Sequence, residues 1–259
     1  MSAFIADIRH TIVPDLRGRH GPLPPILLSM TLVTGLVDAF SYLVLGHVFV
    51  ANMTGNIVLL GFALAGAPGF SIAASTTALA SFFAGAMIGG RLSTRYSGHR
   101  GRLHSSAAAI QALFLAASVA LAALSGSPVV ASYRYALIVG LGAAMGIQNA
   151  AARKIAVPDL TTTVLTLTIT GIAADSALAG GPGSKAGGRL IAVATMLAGA
   201  LIGAVLVRHA PICYPLAIAL VTIVLGAVTS RILGSADPAW VHAPASTATL
   251  TTGQEQEKT

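Results

Sequence analysis

Apolar runs close to twenty residues long recur along this chain, and the stretches between them hold almost all of its Arg and Lys. A hydrocarbon layer about 30 Å thick is crossed by roughly 20 apolar helical residues, and basic residues collect in the connecting loops. The pattern predicts an all-α, polytopic helical membrane protein. Composition agrees: 55% of residues are hydrophobic and 9% charged, with mean hydropathy +0.82, against about a quarter charged in an ordinary globular domain.

Six segments read as spanning helices, at about 23–45, 70–90, 105–125, 133–152, 189–207 and 212–231. Two others are ambiguous. Residues 46–66 are long enough to cross but are interrupted by Asn52, Thr54, Gly55 and Asn56, and residues 155–178 by Pro158, Asp159 and a run of threonines. Both are expected to be short helices preceded by irregular backbone.

Internal similarity organises these segments. SFFAGAMIGG at 81–90 matches TMLAGALIGA at 195–204, an offset of 114, and ANMTGNIVLLG at 51–61 aligns with PDLTTTVLTLT at 158–168, an offset of 107. The Gly-rich loop GGPGSKAGG absorbs the difference. Two matches in one order predict two repeat halves, about 23–125 and 133–231; chance likeness of Ala/Gly-rich helices is the alternative. With eight full crossings the 15 Lys and Arg divide eight inside and seven outside. With six, the ambiguous segments returning to the side they entered, only Arg134 and Arg208 lie outside and 13 lie inside, as the positive-inside rule requires. Six crossings also put three in each half, so the second half is inserted upside down, as in many transport folds. Eight crossings with parallel repeats remain the alternative.

Residues 1–22 are expected to form a cytoplasmic tail with room for a short surface helix, since no long apolar stretch marks a signal peptide. Residues 23–233 form a single membrane domain. Residues 234–259, rich in Ser, Ala, Thr and Gln, read as a disordered tail. The net charge of +7 sits in loops, where it meets anionic lipid heads rather than nucleic acid. Cys213, the only cysteine, leaves no intramolecular disulfide and no Cys-based zinc site, and reads as a small buried hydrophobe.

Three acids fall within the apolar body: Asp38, Asp159 and Asp175. A carboxylate at the centre of a spanning helix costs about 2.5–3.5 kcal/mol, so it implies a partner, a wet cavity or proton handling. Asp38 is the strongest candidate, with Ser41 and Tyr42 on the same helical face; an internally bonded acid that holds helices together is the alternative. Asn52, Thr54 and Asn56 surround the start of the first short helix, Gly55 among them, and Asp159, Thr161, Thr162 and Thr163 repeat the arrangement. They are either plain caps or, if the two helix starts meet near the midplane, a substrate or ion site using the positive dipole ends. Gln148 and Asn149 are expected to face the same interior, while Arg153 and Lys154 snorkel to the surface. Asp175 either pairs with Lys185 or Arg189 or simply sits near a membrane interface. Gly85-x-x-x-Gly89 and Gly199-x-x-x-Gly203 predict close helix crossings. His47 lies beside the first broken segment; His99 and His104 belong to a basic loop and are expected to be solvated. No metal-ligand spacing, phosphate loop or Ser/His/Asp grouping is present, so neither enzyme activity nor a cofactor is expected.

GLVDAFSYLVLGHVFVANMTGN and MGIQNAAARKIAVPDLTTTVLT resemble the YoaK-like family of uncharacterised bacterial membrane proteins, over roughly 25–230. The resemblance implies a multi-pass protein of a bacterial inner membrane and carries over no catalytic residue or substrate. It touches Asp38, Asn52, Thr54, Gly55, Asn56, Gln148 and Asn149, and departs at TTT where the first block has T-G-N. The functional expectation is a small secondary transporter or channel-like permease for a small-molecule or ion substrate. A non-transporting scaffold or stress-associated accessory protein is the alternative. Partners are the lipid bilayer and, with six crossings, a second copy in a homodimer.

Overall fold

The computed structural model describes residues 2–126, 128–157, 165–176, 179–180 and 186–242, which contain helices and turns but no β-strand. In chain order the helices are α1 (Ser2–Ile12), α2 (Leu23–Val44), α3 (Met53–Leu64), α4 (Ile72–Arg95), α5 (Arg100–Ser125), α6 (Ala131–Ile155), α7 (Leu165–Ala174), α8 (Ala186–His209) and α9 (Tyr214–Leu233). Six of them, α2, α4, α5, α6, α8 and α9, are long and apolar enough to cross a membrane. Their ends follow local chemistry. Proline opens α2 and α9, where an N–H would have no helical acceptor. Ser71 caps α4, its Oγ accepting from Ala74 N at 3.2 Å. Ala156 stops α6 in the left-handed region, φ 51°.

The bundle is held by two close helix crossings of the same kind. α2 lies on α8 and α4 lies on α6, in each case glycine against backbone. A methyl added at Gly35 would collide with Met196 O and lie 2.7 Å from Ala200 N; one added at Gly146 would collide with Phe82 O and lie 2.7 Å from Ala86 N. Gly89 faces Ala150 and Ile147, and Gly203 faces Ala39 and Leu36. In every pair the α2 position maps to α6 by adding 111 and the α4 position to α8 by adding 114. Small residues let backbones approach closely enough for dispersion to hold helices together without a hydrophobic driving force. α5 packs on α6 and α9, and α9 on α2, so α2 and α6 occupy the centre. Accordingly 72% of the α2 apolar window and 67% of that of α6 are buried, against 17% for α8, whose outer face carries Leu197, Leu201 and Val205.

One end of the bundle, the basal end, gathers α1, the starts of α2, α5 and α8 and the ends of α6 and α9. Asp7 Oδ2 accepts from Gly188 N at 2.9 Å. Arg100 donates through Nε (3.0 Å) and Nη2 (2.7 Å) to Ile155 O, placing a cation on the negative end of α6. Trp240, 1% exposed, fills the space against Gly21 and Gly101. The sequence placed residues from 234 onward in an unpacked tail; in the structure Gly234–His242 turns back onto the basal end, because Trp240 and Val241 supply the apolar surface that composition averaged away. Residues 243–259 lie outside the described residues.

α3 does not cross. His47 Nδ1 lies 3.0 Å from Gly69 O, and Phe62 packs edge-on against Phe70 at 5.5 Å. The chain therefore leaves and re-enters the distal end at one place, whereas a crossing would separate these residues by about 30 Å. α7 likewise ends beside the start of α8, where Arg189 Nη1 donates to Asp175 Oδ2 at 2.7 Å. We expect cysteines placed at Ser97 and Ser235 of a Cys213→Ala protein to react with an impermeant maleimide from one side of the membrane, and one at Gly66 from the other. Gly66 and Ser235 reacting from the same side would restore eight crossings.

Candidate functional site

Asp38 lies six residues before the end of α2, about 9 Å below it along the axis. The chain after α2 descends to meet it: Asp38 Oδ1 accepts from Val50 N at 3.1 Å and Ala51 N at 2.8 Å. Its other oxygen, Oδ2, is buried with no hydrogen-bond partner among the described residues, and Asp38 is 5% exposed. From there α3 climbs back toward the distal end. Asn52 caps it, Oδ1 accepting from Gly55 N at 3.2 Å. Asn56, fully buried, clasps the descending strand of chain, with Oδ1 accepting from Phe49 N at 2.9 Å and Nδ2 donating to Phe49 O at 2.5 Å. Tyr42 stacks on Phe49 at 4.9 Å and meets His47 edge-on at 5.1 Å. Gly55 is required by contact, since a methyl there would lie 2.8 Å from the Phe49 ring. Ser41 Oγ donates to Asp38 O at 3.1 Å. Thr54 is exposed.

One turn toward the basal end on the same face of α2, a second polar group fills the centre of the bundle. Gln148 Nε2 donates to Thr34 Oγ1 at 2.9 Å and Met30 O at 3.3 Å, and its Oε1 accepts from Gln111 Nε2 at 2.7 Å. All three side chains are fully buried, and Gln111 Oε1 has no partner among the described residues. α2, α5 and α6 are thus joined by amides that in hydrocarbon find acceptors nowhere else. Thr34 and Asp38 are four residues apart, so the two clusters are neighbours along α2.

The structure brings Asp38, Ser41, Tyr42, Asn52, Gly55 and Asn56 into one cluster and sets Gln148 beside it. Asn149 is half-buried and donates to Met145 O of its own helix at 2.9 Å. Asp159, Thr161, Thr162 and Thr163 lie outside the described residues. α3 packs on α4 and α7 on α8, with no contact between the two short helices among the described residues. Arg153 and Lys154 are exposed. His104 departs from expectation: it is 1% exposed inside the α5–α9 contact, its Nδ1 2.8 Å from Ser230 Oγ, because α5 begins at Arg100 and draws the supposed loop into the bundle. Cys213 is half-buried at the start of α9. Thr34 and Gln111 were not singled out by the sequence, although a lone amide in an apolar helix is itself a signal that a partner exists. Among the described residues no group of three His, Cys, Asp or Glu could hold a metal ion.

A family profile described as "Protein of unknown function (DUF1275)" matches residues 26–250. The chain is similar to the UPF0700 transmembrane protein YoaK of Bacillus subtilis (strain 168), with 37% identity over 155 residues. That match covers 58% of this chain and 65% of the relative, so the similarity spans somewhat under two thirds of the relative's length. No solved structure matches.

Proposed function

We propose that this chain, which belongs to the DUF1275, YoaK-like family of multi-pass membrane proteins, is a small secondary transporter or channel-like permease for a polar or ionic solute, with Asp38 as its coupling or contact group. The observation that carries the reading is the half-bonded state of Asp38: one carboxylate oxygen is held by two backbone N–H groups and the other has no partner among the described residues, inside a spanning helix. An acid retained there faces a solute or a proton more readily than lipid. The Thr34, Gln148 and Gln111 side chains continue the polar line toward the bundle centre. Matching glycine contacts at constant offsets support two inverted internal repeats, α2–α5 and α6–α9, the plan of many transporters. The basal end collects Arg95, Arg100, Arg102, Arg153 and Arg231, while Arg134 and Arg208 lie toward the distal end, which supports a cytoplasmic basal end and N-terminus in a bacterial inner membrane.

Uptake of a panel of small polar and ionic solutes into proteoliposomes, under an imposed proton gradient, tests this. A solute accumulated by the wild type, with accumulation lost in Asp38→Asn while the variant melts normally, is the expected result. Wild-type uptake equal to that of empty liposomes across the panel would remove the transport reading.

A second reading rests on a different observation. The hydrogen bonds of Asp38 Oδ1, Asn52 and Asn56 to nitrogen and oxygen all run to backbone of residues 49–55, as a non-transporting scaffold requires. On that reading substitutions at Asn52 and Asn56 lower stability, by about 1 kcal/mol for the cap, and change no flux.

A further inference from the structure

Where α5 starts and α9 ends, the basal end opens into a cleft of about 430 Å³ lined by Tyr96, Arg102, Ser105, Ser230, Arg231 and Ser235. Arg102 and Arg231 are exposed and form no ion pair among the described residues. Among the described residues the carboxylate beside the rim is Asp237, already shared by His99 at 3.8 Å and His242 at 3.2 Å. Burial, and then the Arg102 charge beside it, hold the His99 imidazole below its ordinary value, so the positive charge of the cleft at neutral pH comes from the two guanidinium groups.

The cleft does not end at the surface. Ser105 and Arg231 also line a second groove, about 380 Å³, which continues along α5 and α9 past Ala109, Ala227 and Val228. From Arg102 to Ala109 and from Arg231 back to Ala227, both walls run one to two turns toward the middle of the spans. The order of chemistry along this path is therefore cationic and hydroxyl-rich at the end of the bundle, then small and apolar at membrane depth. A free anion would use only the first part, and a soluble partner would not reach the second.

We propose that the α5–α9 cleft is a binding site for an anionic glycerophospholipid, the phosphate held by Arg102 and Arg231 with the serine hydroxyls, and one acyl chain lying in the groove over Ala109 and Ala227. Guanidinium forks match phosphate oxygens in pairs, and basic pockets between spanning helices are suited to anionic headgroups. The site shares no residue with the Asp38 cluster and stands whether or not the protein transports.

Native mass spectrometry of the detergent-solubilised full chain, titrated with phosphatidylglycerol, phosphatidylcholine or inorganic phosphate, tests it. Phosphatidylglycerol should bind in preference to phosphatidylcholine, and Arg102→Gln with Arg231→Gln should weaken it about thirtyfold. Ala227→Trp, which leaves both arginines in place, should also expel the lipid, and inorganic phosphate should not compete at equal concentration. Equal binding of the two lipids, or retention by the double arginine variant, overturns the proposal. So does full competition by inorganic phosphate, which would make the site one for a free anion. A dimer broken by Ala227→Trp with no lipid retained would assign the groove to a second copy and overturn it as well.

Discussion

Gly146→Ala will destabilise the bundle although it adds a single methyl group. That methyl would be driven into Phe82 O and Ala86 N, backbone atoms of α4 that cannot rotate away, so α4 and α6 must separate along their whole crossing. Overpacking of a tight core costs about 1–3 kcal/mol, and Gly146→Val should cost more and fail to yield a monodisperse protein. Gly35→Ala, against Met196 and Ala200, should behave alike. Gly90 supplies the control: it lies on the same helix as Gly85 and Gly89 but has nothing within 4 Å, so Gly90→Ala should be neutral or slightly stabilising. Melting followed by size-exclusion in one detergent measures all four. A Gly146→Ala midpoint no lower than that of Gly90→Ala would mean the α4–α6 crossing is looser than described.

Gln148→Leu should be the most costly change in the polar core, and it should be partly repaired by a second loss. Leucine removes the one partner the Gln111 amide has among the described residues, and with it the amide donor to Thr34, leaving a buried carboxamide unsatisfied. An orphaned polar group costs about 1–3 kcal/mol, whereas replacing both partners by apolar groups can be nearly neutral. Gln111→Leu in the Gln148→Leu background should therefore recover stability, and a double-mutant cycle should give a coupling of about 0.6–1.7 kcal/mol between the two positions. If instead the two losses add, the amides are not a unit. A repaired double variant that melts like the wild type but carries no solute would separate packing from function at this position.

The spans, the broken first helix and the acid were legible because each has a local signature. A run of apolar residues reports its own length, and Asn52 announces a helix start by standing before an apolar stretch with Gly55 N in reach. Asp38 stood out against the apolar helix around it, and its unbonded oxygen agrees with the tension the sequence implied. Gly85, Gly89, Gly199 and Gly203 were found through their spacing. Gly35 and Gly146 on the facing helices were not, since a single glycine in an apolar helix carries no spacing and its purpose lies in another helix. Gln111 escaped for the same reason, and so did the burial of His104, whose charged neighbours Arg100 and Arg102 made the start of α5 look like a loop. Trp240 was hidden by averaging over a polar tail. What sequence pattern misses here is pairing at long range, where one residue's meaning depends on a partner tens to hundreds of positions away.

The two glycine crossings are alike in shape and unlike in time. Phe82 and Gly146 are 64 residues apart, but Gly35 and Ala200 are 165 apart. During synthesis α6 follows soon after α4, and that pair can close early. α2 waits for α8 while the ribosome adds the residues between them, on the order of ten seconds. Through that interval its groove of Gly35, Leu32 and Leu36 is open, and any chain released before residue 186 keeps it open for good. The nascent protein thus has a defined late step, the docking of α8, and a chain that stops short of it carries on α2 the mark by which the membrane's quality control can recognise it.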